Sequence, residues 1–209
     1  MTLPVATILA LAAQCAPDVA PETLLSVVHV ESRLNPLAIG VNGSPRVAVV
    51  ASDQADAVAK ATALIQAGRS VDLGLAQINS RNLGWLGVTV EQVFEPCANL
   101  AAAARILSDG YVRSEPQRIG PHAALRTAFS YYNTGDPRRG FANGYVGKVA
   151  RAAGHLVPPL AEAPAAELDG PIIAPPVAAP ASWDVFGRAA RAGSDFVFNP
   201  ASPASGAAQ

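Results

Sequence analysis

The chain has 209 residues, 50% hydrophobic and 15% charged, and its 15 basic and 16 acidic residues leave a net charge of −1. This length fits one domain with an appendage or two small domains, and the composition excludes both a wholly disordered chain and the basic footprint of a duplex nucleic-acid binder. Two cysteines and three histidines cannot build a four-thiolate metal site, and no stretch reaches the roughly 18 uninterrupted apolar residues of a membrane span. We expect a soluble domain that handles a neutral molecule and needs no metal or cofactor.

The N-terminal segment is apolar and alanine-rich, and it predicts a helix over Val5–Cys15. Residues 3–13 also have the length of the hydrophobic region of a signal peptide, but no lysine or arginine precedes them. We favour a first helix of the folded domain, because cleavage beyond Cys15 would leave Cys97 alone. These two cysteines either form a disulfide that pins the first helix to the later core or remain two buried thiols.

The following residues predict a domain dominated by helices with one small antiparallel sheet, an α+β fold. Pro21 and Glu22 suit the first turn of a helix that runs to about Leu34. The turn sequence within residues 38–50 predicts a short hairpin. Further helices are predicted over Asp53–Gln66 (with Ser52 as its N-cap and Gly68 as its terminator), Ala98–Leu107 and Ala123–Tyr132.

The C-terminal part of the chain differs in composition from the rest. Half of the 18 prolines lie in residues 156–209, and residues 156–182 are mostly alanine, proline and other small residues. This composition predicts a domain over residues 1–155, an extended linker over residues 156–182 and a mobile tail over residues 183–209. The tail carries a short apolar segment, which either docks on its own domain or binds a partner protein.

The predicted second helix carries an acidic residue on its core-facing side. At 100° per residue, a narrow stripe contains Leu24, Val28, Glu31 and Asn35. The opposite side contains Glu22, Ser26, His29 and Arg33. Burial among aliphatic neighbours favours the protonated form of a carboxyl group, which a general acid requires. Alternatively, Glu31 pairs with an arginine or reaches solvent at the helix end.

Two further segments carry polar groups suited to a sugar. The segment Gly74–Asn79 contains Gln77 and Asn79, whose amides can both donate and accept hydrogen bonds to hydroxyl and acetamido groups, or can instead satisfy buried loop backbone. In the helix before Gly135, the spacing of the apolar residues points Tyr132 inward. There its hydroxyl could support a carboxyl group while its ring packs.

In this order and spacing, the three segments resemble the lytic transglycosylases, a family with a lysozyme-like fold. The matching elements are Glu31-Ser32, Gly74–Asn79, and Tyr132-Asn133 with Gly135. The resemblance is closest to the lytic transglycosylase component of type IV secretion systems and covers about residues 7–160. It also rests on residues 15–17, 30–33, 78–82, 96–97 and 141–146.

The resemblance implies cleavage of the β-1,4 bond between N-acetylmuramic acid and N-acetylglucosamine without consumption of water, leaving a 1,6-anhydro sugar. Glu31 would act first as acid and then as base. The residues implied in substrate binding are Ser32, Gln77, Asn79, Tyr132, Asn133 and Tyr145. Ser32 and Tyr145 also have structural alternatives, since Ser32 can bond back to its own helix and Tyr145 can belong to the core. The implied partners are peptidoglycan glycan strands in the periplasm and, through the tail, components of the secretion apparatus.

Some features depart from this pattern or leave alternatives open. Tyr131 stands where many relatives carry alanine, which would narrow the groove or reshape one subsite. Relatives of this subgroup usually begin with an export signal, whereas this chain begins almost at its first predicted helix. Asp72 and Asp136 are expected as turn or cap acceptors, but either one opposite Glu31 would favour an inverting hydrolase. A hydrolytic muramidase and a non-catalytic peptidoglycan-binding module therefore remain alternatives.

Overall fold

The computed structural model describes residues 2–43 and 45–156. The predicted tail and all of the predicted linker except Leu156 lie outside these residues. The elements run in the order α1 (Val5–Cys15), α2 (Pro21–Ser32), β1 (Ile39–Val41), β2 (Val47–Val49), α3 (Gln54–Gln66), β3 (Val71–Leu73), β4 (Ile78–Asn79), a 3₁₀ turn (Ser80–Asn82), α4 (Leu83–Leu86), α5 (Val90–Val93), α6 (Pro96–Arg113), α7 (Pro116–Ile119), α8 (Pro121–Thr134), α9 (Arg139–Ala142) and α10 (Tyr145–Leu156). In the described part of the chain, no helix is long and apolar enough to cross a membrane.

The core forms where α2 packs against α1 and α10, and where α6 packs against α1 and α8. Its largest fully buried side chains include Ile8, Leu24, Leu25, Phe94, Leu100, Leu107 and Phe129. Because α2 has neighbours on two sides, more than one face of it is buried. The expectation that Ser26 lies on an outer face is therefore wrong. Its side chain is fully buried and its hydroxyl donates a 2.7 Å hydrogen bond to the carbonyl oxygen of Glu22.

Helix α2 ends two residues before the predicted boundary at Leu34. Arg33 and Leu34 both adopt left-handed backbone conformations, with φ of 52° and 65°. The backbone N–H of Arg33 closes the helix by bonding to the carbonyl oxygen of His29. This early end places Glu31 in the last turn of the helix, where its side chain can extend past the end of α2.

The four strands form one antiparallel sheet in the order β2-β1-β3-β4, which confirms the predicted hairpin and the small sheet. Gly40 of β1 lies opposite Asp72 of β3, which in turn lies opposite Asn79 of β4. Helix α3 connects β2 to β3, and its N-cap is Asp53 rather than Ser52. The carboxylate of Asp53 accepts a hydrogen bond from the backbone N–H of Asp56. The hydroxyl of Ser52 donates to the side-chain carboxylates of both Asp53 and Asp56.

Helices α6 and α8 are longer than the sequence patterns predict, since each begins two residues earlier, at a proline, and ends later, at Arg113 and Thr134. Proline is favoured in the first turn of a helix, because backbone N–H groups there have no partner within the helix and proline lacks this group. The first turn of α6 also contains Cys97, which is joined by a disulfide to Cys15 at the end of α1, with 5.5 Å between the two Cα atoms. The bond ties the first helix to the central one.

Candidate active site

A groove of about 900 Å³ runs between the sheet and helices α6 and α8. Five of the predicted site residues line it: Glu31, Gln77, Asn79, Tyr132 and Asn133. The sequence separation of these residues means that only the folded domain brings them together.

Glu31 is partly buried in the groove, and burial raises the pKa of its carboxyl group from 4.5 to about 7. Three neighbours act on the same pKa. The hydroxyl of Tyr145 donates a 2.6 Å hydrogen bond to Oε1 of Glu31 and lowers the pKa, as does the charge of Arg46, whereas the charge of Asp72 raises it. The carboxyl group of Glu31 therefore exchanges its proton close to neutral pH.

Tyr145 begins α10 and is buried beside Glu31. Its backbone N–H donates to the side-chain oxygen of Asn143, which fixes the start of the helix. Burial, together with the charge of Glu31, raises the pKa of the Tyr145 phenol well above 10. The phenol therefore keeps its proton and remains a hydrogen-bond donor to the carboxyl group.

The segment Gly74–Asn79 consists of β4 and the tight loop, residues 74–77, that joins it to β3. Gly74 has a φ of +73° and donates its N–H to the carbonyl oxygen of Ala38 at 2.8 Å. Gln77 also has a left-handed backbone, with a φ of 51°. Its side-chain N–H groups donate to the carbonyl oxygens of Ala38 and Gly74 at 3.1 and 3.2 Å, so the amide holds the loop together.

A buried asparagine of α6 supports this loop from below. Oδ1 of Asn99 accepts the N–H of Ala76 at 2.8 Å, and Nδ2 donates to the carbonyl oxygens of Leu73 and Val93 at 3.0 and 2.7 Å. A Cβ atom on Gly74 would lie 2.3 Å from this Nδ2, so only glycine leaves room for the contact. Sequence reasoning missed Asn99, although a polar residue on the inner face of a helix is a detectable signal.

Tyr132 does not support the carboxyl group as expected. Its hydroxyl donates a 2.7 Å hydrogen bond to the carbonyl oxygen of Ala76, and so joins α8 to the loop. Tyr145 occupies the position beside Glu31 instead. The expectation was wrong because the inward direction of a side chain does not specify which buried acceptor it reaches.

Asp72 is a strand residue with ionic partners rather than a turn or cap acceptor. Its Oδ2 is 2.7 Å from Nη2 of Arg46, and its Oδ1 accepts a 2.6 Å hydrogen bond from Nδ2 of Asn79. Sequence reasoning also missed Arg46. Its side chain lies over Gly40, where an added Cβ atom would come within 2.8 Å of Nη2 of Arg46. Both carboxylate oxygens of Asp72 are thus engaged.

The sequence matches the transglycosylase SLT domain family over residues 8–153. The chain belongs to this family. Protein virB1 of Agrobacterium fabrum is 41% identical over 176 residues, 84% of this chain and 69% of that protein. Protein virB1 of Rhizobium radiobacter is 44% identical over 153 residues, 73% of this chain and 63% of that protein. The type IV secretion system protein virB1 of Brucella suis biovar 1 is 41% identical over 162 residues, 75% of this chain and 68% of that protein. No solved structure is significantly similar to the chain.

Membership of the SLT family agrees with the helix-dominated, lysozyme-like architecture described above. It also agrees with the resemblance drawn from the three sequence segments. The chain spans roughly two thirds of the length of these relatives, and the family match ends at residue 153.

The remaining predicted residues of this SLT domain occupy its periphery. The hydroxyl of Ser32 bonds back to the carbonyl oxygen of Val28 at 3.3 Å. Asn133 is exposed at the rim and accepts a 2.8 Å hydrogen bond from Nδ2 of Asn143. Asp136 accepts the backbone N–H groups of Arg138 and Arg139, which makes it the turn residue that was expected.

Glu31 lines the groove, and burial raises the pKa of its carboxyl group to about 7. With a pKa of about 7, Glu31 is about half protonated at pH 7, whereas at a pKa of 4.5 only about one molecule in 300 would carry the proton. Such a group can both give and accept a proton during a reaction. Within the described residues, no cluster of three or more His, Cys, Asp or Glu side chains could hold a metal ion.

Proposed function

We propose that this protein is a peptidoglycan lytic transglycosylase that cleaves the β-1,4 bond between N-acetylmuramic acid and N-acetylglucosamine. The observation that carries the proposal is the position of Glu31, which lines the groove with its pKa raised to about 7 by burial. Membership of the transglycosylase SLT family supports the reaction class.

In the first step, the protonated Glu31 donates its proton to the glycosidic oxygen. The bond between that oxygen and C1 of the muramic sugar breaks, and the N-acetylglucosamine leaves with a new hydroxyl group. The acetamido group of the muramic sugar stabilises the positive charge at C1, and so takes the role that a second carboxylate has in most glycosidases.

In the second step, the ionised Glu31 removes the proton from the 6-hydroxyl of the same muramic sugar. The oxygen forms a bond to C1 and closes the 1,6-anhydro ring. Glu31 ends the cycle protonated as it began, and no water is consumed. A pKa near neutral pH suits a single group that must act as acid and then as base.

Tyr145 acts in this proposal as a positioning residue, because its hydrogen bond orients the carboxyl group of Glu31. Tyr132 and Asn79 hold the groove in shape through the loop and through Asp72. The side-chain oxygen of Gln77 makes only a 3.4 Å contact with Arg46, which leaves it able to accept a hydrogen bond from a sugar hydroxyl.

Asn133, which lines the groove, and Ser32, which follows Glu31 in the chain, complete the proposed contacts. Asn133 is exposed at the rim and can bind a sugar through its amide. The hydroxyl of Ser32 directly follows Glu31 and makes only a 3.3 Å bond within its helix, so it can turn toward a bound substrate.

The domain organisation and cellular role are part of the same proposal. Residues 1–155 form the transglycosylase domain, and the segments predicted over residues 156–182 and 183–209 lie outside the described residues except for Leu156. The Brucella relative is named a type IV secretion system protein, which supports a periplasmic enzyme that locally opens the cell wall for such an apparatus. The tail would contact components of that apparatus.

Digestion of purified peptidoglycan followed by mass spectrometry tests the reaction. We expect 1,6-anhydro products, which are lighter by one water than the products of a hydrolase. Glu31→Gln should abolish turnover while retaining glycan binding. Asp109→Asn is the matched control, because Asp109 also lines the groove but is exposed at its edge.

Each outcome distinguishes the proposal from its alternatives. Products that contain the added water would identify a hydrolytic muramidase. The proposal requires that the wild-type protein cleaves glycan. A wild-type protein that binds glycan but never cleaves it, under conditions where a control enzyme does, would be a peptidoglycan-binding module. Full turnover by the Glu31→Gln variant would remove Glu31 from the mechanism.

A further inference from the structure

A second pocket of about 520 Å³ adjoins the groove. Arg113 and Tyr131 line both cavities and form the wall between them. The guanidinium carbon of Arg113 lies 4.3 Å from the centre of the Tyr131 ring, a stacked arrangement that keeps the wall in place. Gly110 allows this wall to form, because a Cβ atom there would come within 3.2 Å of Cβ of Tyr131.

The second pocket is positively charged. Among the described residues that line it, the charged side chains are those of Arg113, Glu115, Arg118 and Arg138. Arg118 pairs with Glu115, and Arg113 lies 3.4 Å from Asp109, but the side chains of both pairs are more than half exposed. Exposed ion pairs contribute little stability, so an anionic ligand can compete for these arginines at low cost.

Arg138 is the arginine most open to a ligand. Within the described residues, its guanidinium donates no hydrogen bond and joins no ion pair, although its charge lowers the pKa of Asp136. Three cations facing one anion across a pocket of this size would attract a ligand with free carboxylates.

The pocket also has an apolar part. Ile119, Pro137 and Phe141 contribute to its lining, and the ring of Phe141 is 41% exposed. A ligand with free carboxylates and small apolar side chains therefore matches both parts of the pocket. In peptidoglycan, such a ligand is attached to the sugar itself, because short peptides rich in alanine and in free carboxylates branch from the lactyl group of the muramic acid.

We propose that this second pocket binds the peptide stem of peptidoglycan while the glycan strand occupies the groove. The inference rests on the proposed function, since it requires the groove to hold the sugar chain. Tyr131 and Arg113 form the wall that separates the two parts of the substrate. Arg118 and Arg138 line the second pocket only, and bind the carboxylates of the stem.

The test compares two substrates that differ only in the stem. Glycan strands with intact stems and strands stripped of them by an amidase are digested by the wild-type protein, by the Arg118→Gln/Arg138→Gln variant and by Arg151→Gln as control. Arg151 is an exposed arginine of α10 that lines neither cavity. We expect the double variant to lose about tenfold in kcat/KM on stem-bearing strands and nothing on stripped strands. Equal rates for the double variant and the wild type on stem-bearing strands, or an equal loss on both substrates, would overturn the inference.

A binding measurement separates this inference from the proposed function. A synthetic stem tetrapeptide with free carboxylates is titrated into the full chain, and amide NMR shifts are followed across residues 113–119. We expect these shifts with the free peptide, a loss of binding in the double variant, and no binding when the carboxylates are amidated. If the wild type cleaves no glycan, the proposed function fails and the titration still decides whether the pocket takes the stem. Absence of binding by the free peptide would remove the pocket from substrate recognition.

Discussion

The hydroxyl of Tyr145 lies 2.6 Å from Oε1 of Glu31, although 114 residues of chain separate the two side chains. The tyrosine stabilises the ionised form of a carboxyl group whose burial favours the protonated form. Opposing effects of this kind leave the pKa near neutral pH rather than far above it. The pair therefore sets the pH at which Glu31 changes from proton donor to proton acceptor.

Tyr145→Phe should move the alkaline limb of the pH–activity profile to higher pH. The substitution removes the hydrogen bond that lowers the pKa of Glu31, so the carboxyl group keeps its proton to a higher pH. The profile of kcat/KM against pH measures the shift. Tyr132→Phe is the control, because its hydroxyl bonds to the carbonyl oxygen of Ala76 instead. An unchanged limb in the Tyr145 variant would mean that the hydrogen bond does not act on the reacting proton.

Glu31→Gln should stabilise the protein at high pH and leave its stability unchanged at low pH. The pKa of Glu31 rises from 4.5 to about 7 on folding, so the wild type loses stability as pH rises through this window. Above pH 7 the loss amounts to about 3 kcal/mol, which a neutral glutamine avoids. Urea unfolding at pH 4.5 and pH 8 measures the difference.

Glu91→Gln is the control, because Glu91 is an exposed carboxylate in the first turn of α5. If Glu31→Gln is no more stable than the wild type at pH 8, then the carboxyl group of Glu31 is ionised at little cost. Its pKa would then be close to the ordinary value.

Gly74→Ala should destabilise the domain by more than about 2 kcal/mol. The residue has a φ of +73°, and a Cβ atom would collide with Nδ2 of Asn99, whose three hydrogen bonds join the loop to β3 and α5. Gly84→Ala is the matched control in α4, since nothing lies within 4 Å of the added atom. It should leave stability unchanged or raise it by up to about 1 kcal/mol. Equal melting temperatures for the two variants would contradict the close contact.

Cys15→Ser/Cys97→Ser should lower the free energy of unfolding by about 4 kcal/mol. The disulfide joins positions 82 residues apart, so its loss frees a long loop in the unfolded chain. Denaturant unfolding with and without a reducing agent measures the effect. The reducing agent should destabilise the wild type and leave the double variant unchanged, because the chain contains no other cysteines.

Local patterns predicted the fold class and the residue on which the proposed chemistry depends. Glu31 could be found because an acid on an aliphatic helix face is visible within one turn on either side. The same reasoning misplaced Ser26, because a helical wheel assumes a single buried face and α2 has neighbours on two. Prolines at the starts of α6 and α8 were present in the sequence and could have extended both predicted helices.

The contacts around Glu31 could not be predicted, because they depend on tertiary packing. Arg46 lies over Gly40 because it pairs with Asp72, the residue that the sheet places opposite Gly40. Asn99 reaches the loop only because α6 passes beneath it. The partner of Tyr132 was mistaken for the same reason, since two buried acceptors lie near one another and only the packed structure distinguishes them.

The partner of Glu31 comes from the first residue of α10, the last helix in the described part of the chain. Helix α10 packs against α2, so a chain that ends before α10 lacks both this packing and the phenol that bonds to Glu31. In the proposed mechanism, the capacity to cut a glycan would therefore arise only once the domain is essentially complete.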